Sequence, residues 1–312
     1  MELAWGIAAT GGIARTVGEV IAAEPTMRVA AVGSRDQARA ADLAAHLGAE
    51  HAHGSYKALC EDPSVDAVYI ATPHAQHLEV AEHAIANGKA VLCEKSLTAS
   101  VAEAERMVQL ARENKVFLME AMWTRFNSQI QHITKLAQDG RLGDIRLVQA
   151  SFGFAQPYDP EHRLWNPATG GGALFDLGIY PFALAQLFLG QPEKVHVAGS
   201  LAPSGVDAEA GVLMEFQGGA RALLDTSLVS PHANSATIVG TLARVDIDAP
   251  FWAPTRFTIG DEEFTGPSDG YANEVREVRD ALREGRTESA VMPLDDTLTM
   301  MRLLEDARNR LL

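Results

Sequence analysis

Two polar residues, Asp176 and Tyr180, stand in an otherwise apolar segment, "FDLGIYPFAL" at 175–184. They are four residues apart, and residues at this spacing share one face of a helix. Burying a carboxylate and a phenol without partners is costly. The pair therefore predicts one of two structures: a core helix with two satisfied polar groups, or a helix whose polar face lines a cavity.

A lysine follows a second apolar segment. The stretch "VLCEKSL" at 91–97 is typical of a buried strand that ends with Glu94 and Lys95. Parallel sheets bind ligands outside the carboxyl ends of their strands, so the ammonium of Lys95 is expected in that crevice. The alternative is an ordinary surface lysine whose aliphatic stem lies along apolar surface.

The stretch "ATPHAQH" at 71–77 ends another predicted strand and carries His74 and His77, three residues apart. This spacing can present two imidazoles to a metal ion. No cysteine or second acidic group accompanies them, and Pro73 at the first helical position is ordinary helix initiation. We predict no metal site.

The stretch "GIAATGGIA" at 6–14 lies at the exit of the first predicted strand and the start of the first helix. A helix N-terminus there offers free N–H groups and a positive dipole end to a pyrophosphate, and Gly11 and Gly12 allow close approach. The dinucleotide fingerprint is Gly-x-Gly-x-x-Gly or Ala, and here Ala9 replaces its first glycine. The stretch predicts dinucleotide binding; the alternative is a tight turn that binds nothing.

The second predicted strand ends at "GSRDQAR", without the acidic residue that usually binds the ribose hydroxyls of NAD. Arg35 and Arg39 are four residues apart at a helix start, so both can face one phosphate. Asp36 is expected to cap that helix or lie in its first turn. The pattern favours NADP over NAD; the alternative is two ordinary solvated charges.

Short apolar segments alternate with amphipathic ones in the first third of the chain, which is the βαβ pattern of a parallel sheet. A Rossmann dinucleotide-binding domain is therefore expected over 1–122. The predicted strands are 3–9, 28–34, 67–72, 90–95 and 116–120, and the predicted helices are 13–23, 36–47, 75–87 and 99–114.

The alternation of predicted strands and helices stops after about residue 122. A run of strands over 193–266, without a helical period, indicates a large and mostly antiparallel sheet with one open face. The fold class is therefore α/β, with a second, α+β domain expected over 123–312 for substrate binding and dimerisation. Its other predicted elements are a helix at 126–138, a strand at 145–155 and helices at 270–285 and 294–311.

Composition excludes several partners. The 312 residues carry a net charge of −15, which argues against nucleic acid or an anionic membrane as a main partner. No continuous apolar run approaches ~20 residues, and no signal peptide is expected at the N-terminus. Cys60 and Cys93 lie in unlike contexts, which fits a reduced, cytoplasmic protein.

The chain resembles the glucose–fructose oxidoreductase and inositol dehydrogenase family, GFO/IDH/MocA, along essentially its whole length. The branch that it resembles contains the dimeric dihydrodiol dehydrogenases and the NADP-dependent xylose dehydrogenases. In that branch a tyrosine, here Tyr180, stands where many relatives carry histidine. The resemblance rests on "GIAATGGIA", "ATPHAQH", "LCEKSL", "MEAMWTRF", "HRLWNPATGGGALFDLGIYP" and the closing "GYANEVREVRDALREGRTESAVMPLDDTLTMM".

The resemblance implies an NAD(P)-dependent enzyme that moves a hydride between nicotinamide and a carbinol or carbonyl carbon. Catalysis is assigned to Lys95, Tyr180 and Asp176. Substrate binding is assigned to Trp123, Arg125 and Phe126 together with Asp176 and Tyr180; interdomain packing is the alternative for the two aromatic residues. The residues assigned to the cofactor are Thr10, Gly11, Gly12, Ile13, Ser34, Arg35, Arg39, Thr72, Pro73, His77, Glu94, Lys95, Arg163, Trp165 and Asn166.

Two residues depart from the family pattern. Ala9 replaces a glycine of the phosphate loop, and Ser96 replaces the proline of Glu-Lys-Pro. A cis bond before a non-proline residue is unfavourable by ~3 kcal/mol, so the bond between Lys95 and Ser96 is expected to be trans.

A phenol has a reference pKa near ~10, too high for an efficient base at neutral pH, and a nearby ammonium lowers it. The hypothesis is that Tyr180 is the acid/base and Lys95 assists it, while Asp176 holds a substrate hydroxyl or orients the lysine. The alternatives are an inactive NADP-binding sensor or scaffold and a redox-assisted glycosidase. The substrate stays open among aldoses, ketosugars, dicarbonyls and trans-dihydrodiols. Pairing of the open sheet face predicts a homodimer.

Overall fold

The computed structural model describes residues 2–311, which form two compact units. The first unit contains the chain up to Trp123 and also Tyr271–Leu298. The second contains Thr124–Gly270 and the chain from Thr299 onward. The division therefore differs from a single boundary after residue 122, because a late segment returns to the first unit.

The first unit is built on six parallel strands in the order β3-β2-β1-β4-β5-β6. Strand order reverses between β1 and β4, which is the point where dinucleotides bind in sheets of this order. The parallel sheet predicted from the alternating pattern is confirmed. Its strands are β1 (Leu3–Ala8), β2 (Met27–Gly33), β3 (His51–His53), β4 (Ala67–Ile70), β5 (Ala90–Glu94) and β6 (Leu118–Ala121).

The helices between these strands bury one apolar stripe each against the sheet. Side chains cap three of them: Asp36 accepts hydrogen bonds from Ala38 N and Arg39 N, and Ser55 and Ser100 cap the helices that follow them. Strand β3 and helix α3 are too short to show a periodic pattern and were not predicted. The helices are α1 (Gly12–Ala23), α2 (Gln37–Leu47), α3 (Tyr56–Glu61), α4 (His77–Ala86) and α5 (Val101–Asn114).

The late segment joins the first unit through an amphipathic helix. Its buried side chains are those of Val275, Val278 and Ala281. Arg276 pairs with Glu24 at 2.6 Å, and the carbonyl of Thr287 accepts a hydrogen bond from Leu118 N beside β6. These contacts join residues far apart in sequence, which is why a linear reading placed the segment elsewhere.

The second unit is built on an eight-stranded mixed sheet in the order β14-β13-β12-β11-β7-β10-β9-β8. Strand β7 pairs in parallel with β10, and the other pairs are antiparallel. The strands are β7 (Ile145–Gly153), β8 (Lys194–Leu201), β9 (Asp207–Glu215), β10 (Arg221–Ser227), β11 (Ala236–Gly240), β12 (Arg244–Ile247), β13 (Arg256–Ile259) and β14 (Glu262–Thr265).

Helix packing covers one face of this sheet. The helix α7 lies against β7 and β10, and along β10 the residues Arg221, Leu223 and Asp225 alternate as exposed positions. The predicted open face is present. The remaining helices of the chain are α6 (Ser128–Gln138), α7 (Ile179–Leu189), α8 (Gly270–Arg283) and α9 (Leu294–Asn309).

One helical stretch, Pro167–Leu189, is long and apolar enough to cross a membrane by length and composition alone, with a mean hydropathy of 1.5. In this structure 83% of that window is buried inside the protein. A helix that is apolar on every side and packed beneath a sheet is typical of a core helix.

Candidate active site

The loop between β1 and α1 leaves open space in front of a helix N-terminus. Gly11 precedes α1 in extended conformation, and no side chain caps the helix. A Cβ placed on Gly11 or on Gly12 would meet no protein atom within 4 Å. Unpaired N–H groups and the positive end of the helix dipole therefore face a space that a phosphate can fill.

Ala9 lies at the strained position of this loop. Its φ is +115°, a region that favours glycine. Its N–H donates to the carbonyl of Gly33 at 3.0 Å, which ties the ends of β1 and β2 together. The alanine is therefore held in the conformation that the missing glycine adopts readily.

The loop after β4 lies across from the glycine loop at the point where the strand order reverses, between β1 and β4. The hydroxyl of Thr72, two residues after the end of β4, is buried and has no hydrogen-bond partner. A buried hydroxyl without a partner is unfavourable, so it marks a place for a ligand atom. Together with the open space at Gly11 and Gly12, it makes this strand edge fit a dinucleotide.

The end of β2 presents positive charge. Arg35, just before the cap of α2, and Arg39, in its first turn, are exposed. Ser34 is buried, and its hydroxyl accepts a hydrogen bond from Asp36 N at 3.2 Å. Arg35 also hydrogen-bonds Tyr56, whose pKa is raised because burial outweighs the nearby arginines. The two guanidinium groups lie where a group on the ribose 2′ position is expected.

His77 has a structural place. Its side chain is fully buried, Nε2 lies 2.7 Å from the carbonyl of Thr72, and Nδ1 lies 3.0 Å from the carbonyl of Leu97. Burial lowers the pKa of His77 to about 4. Both ring nitrogens of His77 thus already contact backbone carbonyls. The assignment of His77 to the cofactor stays a prediction.

The peptide after Lys95 corrects another expectation. The bond between Lys95 and Ser96 is cis. Its carbonyl oxygen and its N–H both face Nε2 of His74, at 3.1 and 3.2 Å. The carboxylate of Glu120 accepts a further hydrogen bond from Leu97 N at 2.9 Å. Buried side chains thus fix the turn in the cis form. The expectation of a trans bond considered only that Ser96 is not a proline, and these side chains come from distant parts of the sequence.

Glu94 holds the same turn from the strand side. It is buried, accepts a hydrogen bond from the hydroxyl of Tyr69 at 2.5 Å and another from Lys95 N at 3.2 Å. Burial and the Glu94 carboxylate raise the pKa of Tyr69 well above its usual value. Lys95 therefore leaves β5 from a turn whose backbone is fixed on both sides.

Close packing within the second unit requires glycine at two positions of the cluster that precedes the apolar segment 175–184. A Cβ on Gly171 would lie 2.7 Å from the carbonyl oxygens of Arg163 and Leu164, and one on Gly172 would lie 2.4 Å from Asp207. Gly172 also has a φ of +125°. Only glycine fits this crossing of chains, which sets the start of the following helix.

Asp207 anchors that helix start. It is almost fully buried, and its carboxylate accepts a hydrogen bond from Leu174 N at 2.5 Å. Burial raises the pKa of Asp207. Sequence analysis missed this residue; an acidic residue at a buried position of the strand "VDAEAGV" is the signal that could have found it.

Asp176 lies on a π-helical segment, Leu174–Gly178, that continues directly into α7. It is buried, and it forms a two-pronged ion pair with the largely exposed Arg163, at 2.8 and 3.4 Å. The structure thus brings together two residues that the sequence assigned separately to catalysis and to the cofactor. A π-helical turn within a helix is frequent at functional sites.

Tyr180 lies one turn further, on α7, and is 6% exposed. Its ring lies 5.7 Å from the ring of Phe152 and 6.0 Å from that of Trp252, and these two rings stack on one another at 3.6 Å. Sequence analysis missed both partners. Trp252, in a loop between prolines at "PFWAP", offered the clearer signal.

Five other predicted residues are buried or have partners close by in the structure. Trp165 is buried in a hydrophobic cluster, and its indole N–H donates to Pro157. Asn166 caps a short helical turn through Ala168 N. Trp165 offers no exposed surface to a cofactor. In the other region, Trp123 stacks on Tyr271, Phe126 is buried, and Arg125 is buried against Gln186 at 3.1 Å.

The chain matches two family profiles. One, described as an oxidoreductase family with an NAD-binding Rossmann fold, matches residues 3–122, and the GFO/IDH/MocA C-terminal domain matches residues 130–246. The trans-1,2-dihydrobenzene-1,2-diol dehydrogenase of Mus musculus is 37% identical over 99% of this chain and 96% of its own length. The human enzyme of that name is 36% identical with the same coverage.

Solved structures agree with the profiles. The aldose-aldose oxidoreductase of Caulobacter crescentus, solved with glycerol, has a TM-score of 0.90 at 25% identity and covers 100% of this chain and 98% of its own. A 3-ketoreductase of Actinomadura kijaniata, solved with NADP and TDP-benzene, has a TM-score of 0.86 at 28% identity, with 99% and 98% coverage.

These matches confirm the expectation of a nicotinamide-dependent oxidoreductase. They extend over both compact units, and the strand order, open glycine loop and buried Thr72 hydroxyl of the first unit suit the same cofactor class. The chain belongs to the GFO/IDH/MocA oxidoreductase family.

Proposed function

We propose that the chain is an NADP-dependent dehydrogenase or reductase that acts on one secondary alcohol or carbonyl of a small polyhydroxy ring, with Tyr180 as the acid/base. The observation that carries the proposal is the position of the Tyr180 ring: it is buried beside Phe152 and Trp252, one helical turn beyond the ion-paired Asp176. A buried phenol in this setting is shielded from bulk solvent and can trade a proton with a bound ligand.

The other residues support that step. The nicotinamide, when bound, supplies the hydride chemistry. Lys95 follows β5 at the strand edge of the first unit and contributes a positive charge that stabilises an oxygen as it loses its proton. Asp176, held by Arg163, is fixed as an acceptor for a substrate hydroxyl. Tyr180 takes the proton during oxidation and returns it during reduction.

The aromatic rings narrow the substrate class. Phe152 and Trp252 offer flat apolar faces beside the phenol, and such faces stack on a flat ring or on the apolar face of a sugar. The mammalian relatives are named for a trans-dihydrodiol of benzene, and the solved neighbours are named an aldose-aldose oxidoreductase and a 3-ketoreductase. We therefore place trans-dihydrodiols of arenes first and aldoses second.

A substrate screen tests the proposal. Purified protein is incubated with NADP or NAD and with a panel of trans-dihydrodiols, aldoses and polyols, and formation of reduced nicotinamide is followed by absorbance. Carbonyl compounds are tested with the reduced cofactors in parallel. We expect turnover with at least one trans-dihydrodiol or aldose, faster with NADP. Glycosides are tested in parallel, with the released sugar measured by chromatography. Release of a sugar without net cofactor reduction would support the glycosidase alternative instead.

We also propose a homodimer formed through the open face of the second sheet. Apolar side chains of four adjacent strands share that face: Leu223 lies opposite Leu213, and Val239 lies opposite Leu147. Polar residues share it as well, since Leu223 lies opposite Gln149 and Leu147 opposite Arg221. Leu223, near the centre of that face, is 42% exposed.

The proposed dimer is tested by light scattering. Leu223→Asp should convert the dimer into monomer, whereas Leu242→Asp, in an exposed turn of the same sheet, should leave the mass unchanged. A wild-type monomer at micromolar concentration would refute the dimer.

A further inference from the structure

We propose that His51, His53 and Asp62 form a binding site for a divalent transition-metal ion of the zinc class. The sequence predicted no metal site, because Asp62 is separated from the two histidines along the chain and all three lie outside the predicted strand ends that carry the candidate catalytic and cofactor residues. The fold brings one ligand atom of each to within 4.8 Å of the other two.

The two imidazoles come from one edge strand. His51 and His53 are alternate residues of β3, so their side chains lie on the same face of the strand. Nδ1 of His51 lies 2.6 Å from Oδ2 of Asp62, and Nε2 of His53 lies 2.8 Å from the same oxygen. Two different ring nitrogens and a carboxylate oxygen thus converge on one point.

The carboxylate is fixed in its orientation by a separate set of contacts. Asp62 is 5% exposed at the end of α3. Its Oδ1 accepts hydrogen bonds from Ser64 N at 2.8 Å and from Ser64 Oγ at 2.6 Å. Oδ2 is thereby directed at the imidazoles. Hydrogen bonds that orient a ligating carboxylate in this way are a general feature of metal sites.

The ligand set selects the kind of ion. Two imidazole nitrogens with one carboxylate oxygen suit Zn²⁺, Co²⁺ or Ni²⁺, and suit Mg²⁺ or Ca²⁺ poorly. Bonds of about 2.0–2.2 Å to a tetrahedral ion place neighbouring ligand atoms roughly 3.3 Å apart. The distances from Oδ2 of Asp62 to the two imidazole nitrogens, 2.6 and 2.8 Å, have to widen by about 0.5–0.7 Å to reach that spacing.

The surroundings leave room for water as a further ligand and favour a cation. The three residues line a shallow surface cleft of about 620 Å³, whose rim also carries Glu50 and Glu61. His51 is exposed, so an ion can enter from solvent. Negative charge on the rim raises the local concentration of cations.

This site is distinct from the catalytic residues of the first unit. In the parallel sheet, β3 is the edge strand and β5, which precedes Lys95, lies four positions away. At about 4.8 Å per strand, that separation is roughly 19 Å. The ion would link the edge strand β3 to Asp62 at the end of α3. On its other side β3 is bound to the residue after β2, because His53 O accepts a hydrogen bond from Ser34 N.

Calorimetric titration of the tag-free protein with Zn²⁺ tests the proposal. We expect one ion per chain with micromolar affinity or tighter, and a rise in Tm when the ion is present. His51→Gln and His53→Gln should each weaken binding by at least about 10-fold, as expected for loss of one ligand. Co²⁺ bound to the wild type should give a visible ligand-field band that both variants lack.

The control is His46→Gln, because His46 is an exposed histidine paired with only one carboxylate, that of Glu19. It should bind as the wild type does. The Tm of each variant in metal-free buffer shows whether it has folded. Absence of binding by the wild type would leave only a hydrogen-bonded His–Asp–His cluster and would overturn the proposal. Equal binding by wild type and folded variants would place the ion elsewhere and overturn it as well.

Discussion

The two units hold their polar groups in opposite ways. In the first, groups at the strand ends are left open: Gly11 and Gly12 face free space and the hydroxyl of Thr72 has no partner. In the second, Asp176 is bound by Arg163 and Asp207 by a backbone N–H. The first arrangement suits recognition of a phosphate by backbone groups. The second suits chemistry, because the reacting side chains are already fixed before a ligand arrives.

This difference predicts that changes at Asp176 and Tyr180 affect turnover, and that changes at the glycine loop and at the start of α2 affect cofactor binding. The largest effect is expected from Tyr180→Phe, which removes the acid/base hydroxyl and keeps the ring. It should lower kcat/KM by roughly 10²–10⁴ and leave the Kd for NADP nearly unchanged. Tyr158→Phe, which alters an exposed phenol in the same unit, is the control. Wild-type turnover by Tyr180→Phe would contradict the assignment.

A second substitution sharpens the role of the first unit. Arg35→Ala combined with Arg39→Ala removes both positive charges from the start of α2. Because charged hydrogen bonds to a phosphate contribute about 1.5–3 kcal/mol, the Kd for NADP should rise by at least ~10-fold. The Kd for NAD should change little. Arg106→Ala, an exposed arginine of α5, serves as a single-charge control, and equal weakening for both cofactors would argue against 2′-phosphate recognition.

A third substitution separates binding from folding. Gly12→Ala adds a methyl group that meets no protein atom, in the first turn of α1. The free energy of unfolding should stay equal or rise by up to about 1 kcal/mol, because alanine is the better helix former. The Kd for NADP should nevertheless rise roughly tenfold as the methyl group enters the phosphate space. Thr16→Ala, on the same helix, should leave the Kd unchanged.

Unchanged NADP binding by Gly12→Ala, measured by fluorescence titration, would mean that the pyrophosphate does not approach this helix. Chemical denaturation of the same samples gives the free energies of unfolding. The two measurements together distinguish a steric effect on the cofactor from a general loss of structure.

The last prediction concerns the pH dependence of stability rather than turnover or cofactor binding. His77 has a pKa of about 4 in the folded chain against 6.5 for the ordinary group. Between these values the unfolded chain takes up a proton and the folded chain does not, so the free energy of unfolding falls as the pH falls from 6.5 towards 4. The loss from this one group amounts to about 3 kcal/mol at most.

His77→Gln should remove that part of the slope, and His83→Gln, on the same helix, should keep it. Urea unfolding at several pH values between 4 and 7 gives the comparison. An identical pH dependence in wild type and His77→Gln would show that the buried imidazole does not titrate in this window.

The sequence predicted the features that depend on local spacing and missed those that depend on long-range contacts. The parallel sheet, its glycine loop and the Asp36 cap were predicted because they depend on local spacing within one strand–loop–helix unit. The return of residues 271–298 to the first unit was not, since it depends on contacts such as Arg276 with Glu24. Local patterns identify elements, whereas long-range packing decides which of them meet.

The candidate site shows the same limit. The spacing of Asp176 and Tyr180 predicted a shared helical face, but nothing in that spacing indicated that Arg163 would bind the carboxylate or that Trp252 would lie against the phenol. The cis bond at Lys95 was also missed, because that turn is fixed by residues distant in sequence: His74, in a short helical turn after β4, and Glu120, on β6.

The central claim is that a hydride passes directly between a ring carbon of the substrate and nicotinamide. The most direct test uses the best substrate of the screen, deuterated at the carbinol carbon, with NADP⁺ and the wild-type protein. Mass spectrometry of the reduced cofactor should find the deuterium on it, with one labelled cofactor for each molecule of substrate oxidised. Unlabelled reduced cofactor, or oxidised substrate without reduced cofactor, would contradict the account.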